Sequence, residues 1–492
     1  MSTTRVSYLS LVRLAKQNGF SVTCPWDASY QEDMKIWNRR LQTGPAMVAF
    51  CKKTADVQVC VKWCRENDFP LRVRSGRHHH EGMSCDYGVL IIDLSFMNKV
   101  VTYPTPNQAW IPPGKQLQWV YELLDARKQI IPGGGCETVC VGGLTLGGGW
   151  GMSARALGLT CDNILKAEIV KADGSVLTVA PNDPDPRNSS LFWALQGGGA
   201  GNFGIVTNFL FKLTDVANKT TSSQIWTGYE AMHVLHETAY KIGQDLLPRS
   251  TTLACRLFLD DAGEISFSVT SQVLEDRMNA DEILRDLAGK HAPASSAVAE
   301  DAVAAGNTDL HHFADSKMLT ASSTRPADTC LTGPLPHKVS SAFVKVGKEL
   351  DAAHACYEFL RQNNKPFPNA NAYISFHSFG GAIGDVAPDG TAFPYRDRKL
   401  LLQFQAWWSD PEDESTDQYI DWIRGLRTTL ASQGLTDGGF FNFQDASIVP
   451  ETDRRGLMEY YYGNNLDKLI DVKIQHDPTN VFQSGMSIPN KR

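Results

Sequence analysis

Several things are missing from this chain, and each absence removes a class of function. No run of about eighteen apolar residues occurs, so no membrane-spanning helix is expected. There is no surplus of positive charge. The 47 lysines and arginines stand against 54 acidic residues, a net charge of −7, and a nucleic-acid groove needs a clustered positive surface. The 11 cysteines contain no C-x-x-C pair, which argues against a zinc ribbon. Their odd number leaves at least one outside any intramolecular disulfide. Residues 1–16 hold no unbroken apolar core before a small-residue cleavage site, so no secretory signal is read there. The expectation is an intracellular protein, or a secreted one whose signal is not part of this sequence. The last residues, Asn490-Lys491-Arg492, are not a peroxisomal address. Internal repeats and low-complexity tails are also lacking. With 492 residues and 42% hydrophobic content, two or three domains with ample cores are expected.

What is present is glycine, concentrated in one stretch from Pro132 to Gly151, with Cys136 and Cys140 inside it. Such density marks a backbone that must turn with positive φ or lie close to something bulky. A flexible linker would be rich in serine, whereas here Val139, Val141, Leu144, Leu146 and Trp150 are interleaved. A large planar cofactor with a pyrophosphate tail suits this pattern. A second stretch, Leu71 to Gly82, reads as a short strand followed by a turn that carries His78, His79 and His80. Successive residues of an extended chain alternate faces, and no acidic cluster accompanies these histidines. A metal centre is therefore not expected. Cys60 and Cys64, on the apolar face of a helix, read as buried thiols.

Around these stretches the chain alternates small elements. A polar helix is expected over 30–43, a strand over Met47–Cys51, a helix from Lys53 to about Asn67 with Thr54 as cap, and strands at Leu71–Ser75 and Val89–Leu94. Short strands follow near 100–103 and 109–111, then a helix over 116–126. Asp173-Gly174 is a hairpin signal between strands 165–171 and 176–179. Gly197-Gly198-Gly199-Ala200-Gly201-Asn202-Phe203-Gly204 contains a formal G-x-G-x-x-G match. It follows a helical pattern and precedes a strand, the reverse of a dinucleotide fingerprint, so a Rossmann unit is rejected. Beyond Lys212 the pattern changes to longer alternating strands at 253–259, 264–270, 372–379 and 400–408. Helices are expected at 280–288, 337–361 and 416–432, with a surface loop or loose helix over 292–309. This implies an antiparallel sheet covered on one side by helices.

The motifs Arg74-Ser75-Gly76-Arg77-His78 through Gly82 and Gly135-Cys136 through Gly143 resemble the flavin-attachment sites of berberine-bridge-enzyme-like oxidases, in the vanillyl-alcohol-oxidase superfamily. The tail Tyr462-Gly463-Asn464-Asn465, with Asp477 to Phe482 and Ser487 to Pro489, resembles that family's C-terminal signature. The resemblance implies an α+β fold. An FAD-binding domain would be built from residues 1–212 and 448–492, with a substrate domain over 213–447. It further implies bicovalent FAD, with His78 on the flavin 8α-methyl and Cys136 on carbon 6. His79 and His80 remain alternatives for the first bond, and a buried thiol remains an alternative for Cys136. Relatives usually carry glycine at the position of Arg77. Ser75, Gly76, Gly142, Gly143, Gly204, Ile205, Val206 and Asn465 would complete the cofactor site with Arg74. Val139 stands where valine goes with oxygen access, so O2 is the expected acceptor and hydrogen peroxide the product.

The base is where this chain departs from the resemblance. Gln403 occupies the place of the carboxylate of alkaloid-cyclising relatives, and an amide cannot take a proton near neutral pH. Phe443 and Trp150 replace tyrosines. Asp397 is then the first choice of base and His377 the second, with Tyr395 standing where relatives often have histidine. Asp397 reads equally well as an ion-pair partner of Arg396 or Arg398. The aromatics Tyr373, Tyr395, Phe404, Trp407, Trp408 and Phe443 are core residues unless a subset lines a cleft, where they would present flat faces to pyranose rings. The expected reaction is oxidation of an alcohol, with the anomeric carbon of a di- or oligosaccharide as preferred substrate. Another alcohol, such as a glycosylated secondary metabolite, is the alternative, and a flavin-carrying binding protein a further one. No nucleic-acid or membrane partner is expected.

Overall fold

The computed structural model describes residues 8–98, 101–260, 262–275, 277–299, 334–363, 367–450 and 452–491. The fold is α+β, with three principal sheets. The first takes Ser21–Thr23 (β1), Met47–Phe50 (β2), Leu71–Arg74 (β3) and Leu90–Asp93 (β4) in the order β1-β2-β4-β3. β2 and β3 both run parallel to β4. Parallel neighbours need a crossover, and helix Thr54–Glu66 supplies it, burying Val57, Cys60, Val61 and Cys64.

Thr102–Thr105 (β5), Gln108–Ile111 (β6), Gln129–Ile130 (β7), Ile164–Val170 (β8), Val176–Val179 (β9), Ile205–Lys212 (β10) and Thr214–Asp215 (β11) follow. Five of them form a second sheet in the order β5-β6-β10-β8-β9. Gly174, at φ 76°, closes the β8–β9 hairpin, as Asp173-Gly174 predicts.

The third sheet has eight antiparallel strands among the described residues. They are Lys219–Thr227 (β12), Thr251–Leu259 (β13), Ile265–Leu274 (β14), Ser295–Ala299 (β15), His337–Val344 (β16), Ala370–Ser378 (β17), Leu400–Trp408 (β18) and Thr436–Asp437 (β19), in the order β15-β12-β14-β13-β17-β18-β16-β19. Strand side chains alternate between faces. Leu257, Phe267, Val269, Ile374, Phe376, Leu402 and Phe404 point to one side, where helices Gly228–Gly243, Ala280–Ala288, Glu349–Gln362 and Thr416–Ser432 cover them. Residues from Trp226 to Leu435 make this core. The other main cores combine residues of 11–213 with Ala392 and with residues of 441–488 from the chain end.

Three elements differ from expectation. The helix predicted over 30–43 stops at Asp33. Beyond it the Trp37 N–H donates to Arg77 O (3.0 Å), and the Asn38 side chain reaches His80 and His337, so this segment is committed to distant partners rather than to its own turns. The helix predicted over 337–361 begins at Glu349. Residues 337–344 are β16, paired with β18, and Gly347 at φ 79° turns the chain between strand and helix. Within 292–309, Ser295–Ala299 is an edge strand on β12, and the rest of that span lies outside the described residues. No helix among the described residues is long and apolar enough to cross a membrane.

Candidate active site

One cavity runs between the first two sheets and the polar face of the third. Its inner wall is the turn after β3. Arg74 is not free to meet a ligand with its guanidinium. Its Nε donates to Asp93 Oδ2 at 2.6 Å, and its other nitrogens reach Lys35 O and Asp33 O. It anchors the turn from beneath. Arg77 has φ 67°, a left-handed conformation that costs a side-chain-bearing residue energy and suits glycine. The backbone has thus kept the glycine shape, while the Arg77 guanidinium lies 3.6 Å from Asp93. No backbone N–H from Ser75 to His79 donates to an acceptor among the described residues. Successive unpaired N–H groups in a turn form a concavity for anionic oxygen.

The three histidines point to three different tasks. His78 stacks on Trp37 at 4.0 Å, and its Nε2 lies 3.0 Å from Thr138 Oγ1. The same hydroxyl is 3.9 Å from Cys136 Sγ. The two expected attachment residues therefore converge on one side chain. Burial lowers the His78 pKa to about 3, so the ring is neutral. His79 Nδ1 accepts from the Glu81 and Met83 N–H groups and braces the turn. His80 faces the cavity and pairs with His337. Cys136 is disulfide-bonded, and one sulfur cannot hold both that bond and a flavin.

The glycine-rich stretch forms the adjoining wall. A Cβ on Gly151 would lie 1.6 Å from Gly133 O, so the two arms of the stretch touch and only glycine fits there. A Cβ on Gly143 or Gly201 would meet nothing within 4 Å, and both line the cavity. Ser75, Gly76, Val139, Gly142, Gly204, Ile205 and Val206 line it too. Asn465 does not. It is buried, and its amide donates to Pro388 O and Thr391 O, which makes it a brace for the segment before β18.

The outer wall is the polar face of the third sheet. Register places Tyr373, Ser375 and His377 of β17 beside Gln403 and Gln405 of β18, with Arg256 of β13 opposite Ser375. His377 Nε2 is 2.9 Å from Gln403 Oε1. An amide oxygen only accepts, so Nε2 is the donor in this bond. Trp150 packs on His377 at 4.3 Å and donates its Nε1–H to Ser378 O, and Phe443 lies 5.6 Å from the same imidazole. Gln405 Oε1 accepts from the Tyr373 hydroxyl (3.2 Å) and the Trp407 indole (3.1 Å), while its Nε2 donates to Ser375.

The first-choice base is not in this cavity. Asp397 is 59% exposed and ion-paired with Arg398 at 2.8 Å. Tyr395 is also outside, donating to Tyr460 O and stacked on Phe343. No carboxylate of the described residues lines the cavity. Strand alternation, read more strictly, would have pointed to Ser375 and Gln405. Nothing local in sequence signals Arg256, Asn38 or the His80–His337 pair.

Known proteins place this architecture. Residues 45–180 match the FAD binding domain family and residues 439–489 the berberine and berberine-like family. The uncharacterized FAD-linked oxidoreductase YgaK of Bacillus subtilis (strain 168) is 32% identical over 474 residues, 95% of this chain and 96% of that one. The chain belongs to the berberine-bridge-enzyme-like FAD-linked oxidoreductases. Within this family the monolignol oxidoreductase AtBBE-like 13 of Arabidopsis thaliana is 26% identical over 464 residues, 88% of this chain and 82% of that one. Glucooligosaccharide oxidase from Acremonium strictum, a structure described with 6-S-cysteinyl, 8α-N1-histidyl FAD, superposes with TM-score 0.82 at 22% identity, over 98% and 99% of the two chains. That likeness carries the fold.

The residues present fit the FAD of this oxidoreductase family. The unpaired N–H groups of 75–79 suit a pyrophosphate, and the open space over Gly143 and Gly201 leaves room for a flat ring system. The relatives named above differ in what they act on, so the family defines the cofactor and the redox class and leaves the substrate open.

Proposed function

We propose that this chain is an FAD-dependent oxidase of alcohols, whose substrate is the anomeric CH–OH of a di- or oligosaccharide of the cellobiose or lactose kind. The product is the lactone, and O2 is reduced to hydrogen peroxide. The observation that carries this reading is the composition of the outer wall. Neutral amides and hydroxyls (Gln403, Gln405, Ser375, Thr270) alternate with flat aromatic faces (Tyr373, Trp407, Phe443), and no carboxylate of the described residues lines the cavity. Polar-tipped aromatic bodies suit a pyranose.

In this reading His377 is the base. Its Nδ1 takes the hydroxyl proton, while Gln403 holds Nε2–H and Trp150 fixes the ring plane. The protonated imidazole is then stabilised by the Gln403 carbonyl oxygen. Bound in the cavity, FAD supplies the acceptor for the hydride that leaves the same carbon. The chain's remaining task is to orient the substrate. Val139, on the cavity wall, supports O2 as acceptor by resemblance. Attachment of FAD at His78 and Cys136 belongs to the same proposal. His78 is neutral and available as a nucleophile, and the Cys136 bond forms from the reduced thiol. The core composition supports a cofactor domain of 1–212 with 448–492 and a substrate domain of 213–447.

Trp150, Phe443 and Trp407 on one wall favour a second reading, an aromatic primary alcohol. A peroxide assay separates the two. Turnover of cellobiose or lactose supports the first, and turnover of cinnamyl-type alcohols alone supports the second. Silence on both panels from flavin-loaded protein would leave a flavin-carrying binding protein.

A further inference from the structure

Two histidines 257 residues apart in sequence meet at the seam between the first and third sheets. His80 Nδ1 lies 3.1 Å from His337 Nε2. His337 Nδ1 lies 2.9 Å from Leu335 O. A carbonyl only accepts, so His337 carries its proton on Nδ1 and presents a bare Nε2. His80 must therefore donate from Nδ1, and its own lone pair sits on Nε2. Burial, and next the charge of Lys338, lowers the His80 pKa to about 4, and burial with His80 lowers that of His337. Both rings are neutral at neutral pH.

The pair is held on every side. The Asn38 amide, wholly buried, donates to His80 O at 2.7 Å and to His337 O at 3.0 Å, and its oxygen accepts from the His337 N–H at 3.1 Å. His337 stacks on Trp407 at 3.9 Å. His80 lines the cavity with its ring 6.3 Å from Phe443, the ring that also contacts His377. His80 Nε2 has no protein partner among the described residues. The His80 and His377 rings thus border the same patch of cavity, and the neutral His80 has its proton committed to His337 and its lone pair on Nε2.

We propose that His80 Nε2 accepts a hydrogen bond from a substrate hydroxyl next to the carbon oxidised, and that His337 is the positioning residue that fixes the required tautomer. The site then selects vicinal diols, with one hydroxyl deprotonated at His377 and its neighbour donating to His80. This deepens the sugar-oxidase reading and rests on it for its substrate.

The test has two arms. Proton–nitrogen correlation spectra of flavin-loaded, histidine-labelled protein, assigned with His80→Gln, should show His80 protonated on Nδ1 and bare on Nε2. His337→Phe should abolish that preference. An Nε2–H tautomer in the unaltered protein overturns the inference whatever the substrate. In the second arm, kcat/KM is compared for lactose and for its analogue lacking the reducing-end C2 hydroxyl. His80→Phe should shrink that ratio about 10- to 100-fold. His337→Gln, whose side-chain oxygen can accept the same N–H, should keep most of it, with flavin content unchanged in both. Sugar turnover with an unaltered ratio in His80→Phe overturns the inference and leaves the functional reading standing. Absence of sugar turnover overturns the functional reading, and the diol selectivity with it, while the spectra still decide the tautomer.

Discussion

Replacing His377 with Gln removes the proposed base and keeps most of the side-chain volume between Trp150 and Phe443. His377 touches Gln403, an amide, and no carboxylate of the described residues lines the cavity. A positioned base contributes about 10²- to 10⁴-fold, and the loss should lie within that range, about 10²-fold or more. That corresponds to roughly 3 kcal/mol of barrier or above. The assay is anaerobic mixing of oxidised enzyme with substrate, following the loss of visible flavin absorbance, and His377→Gln should be reduced slowly. Asp397→Asn is the control. It removes only an exposed ion pair with Arg398, worth about 0–1 kcal/mol of stability, and should leave flavin reduction unchanged. Reduction by His377→Gln within about tenfold of the parent, or a collapse in Asp397→Asn, would refute the assignment.

Other consequences follow from the same geometry. Lys338 Nζ bridges Glu81 and Asp445 (2.7 Å) in a buried triad, with Arg40 and Arg427 farther out. Lys338→Met should cost about 3 kcal/mol, since breaking one side of a buried pair strands the other, measured by denaturant unfolding. Burial raises the Asp445 pKa, but Lys338 and Ser447 outweigh it and bring it to about 2. Its contribution to stability is therefore full above the unfolded value of about 4 and is lost as pH falls from about 4 to about 2. Lys338→Met should flatten that acid transition. Gly143→Leu places a side chain into open cavity on a helix. The apoprotein should melt no lower than the parent, because leucine favours helix over glycine, while the bound flavin per protein falls sharply. Peptide mapping after denaturation should find flavin on His78 and, in reduced protein, on Cys136. Flavin on His79 or His80 would reverse the assignment within the triple histidine.

How much of this was legible in the sequence depended on the range of the interaction. β18, Leu400–Trp408, and helix Thr416–Ser432 lie where periodicity puts them, because each is decided by its own side chains against one core. The glycine stretch was legible for the same reason: its contacts, such as Gly151 against Gly133, lie within twenty residues. β16 was misread as helix because every residue of His337–Val344 is buried. A strand buried on both faces loses its period of two and leaves only a run of small and apolar groups. Asp397 was misplaced because a carboxylate is chemically attractive wherever it stands. Whether it faces a cavity or Arg398 is a tertiary fact. The His80–His337 pair and the Asn38 clamp join residues 257 and 299 positions apart, and no local pattern reports that distance.

The seam between the first and third sheets therefore governs the substrate end more than the cofactor end. The cofactor wall is braced within the first two sheets, by Arg74 on Asp93, by Trp37 on His78 and by the touching arms of the glycine stretch. The substrate wall has its proposed base on β17, while its second imidazole, His80, comes from the turn after β3 and reaches its hydrogen-bond partner only across the seam. A substitution that loosens the seam, such as Lys338→Met or Asn38→Ala, moves His80 relative to His377 without touching the residues around Gly143. Its signature is a fall in kcat/KM and in discrimination between diol and deoxy substrates, with flavin loading retained. Equal losses of loading and of discrimination in those variants would mean that the two ends of the cavity are one cooperative unit, and that the seam holds the cofactor as well.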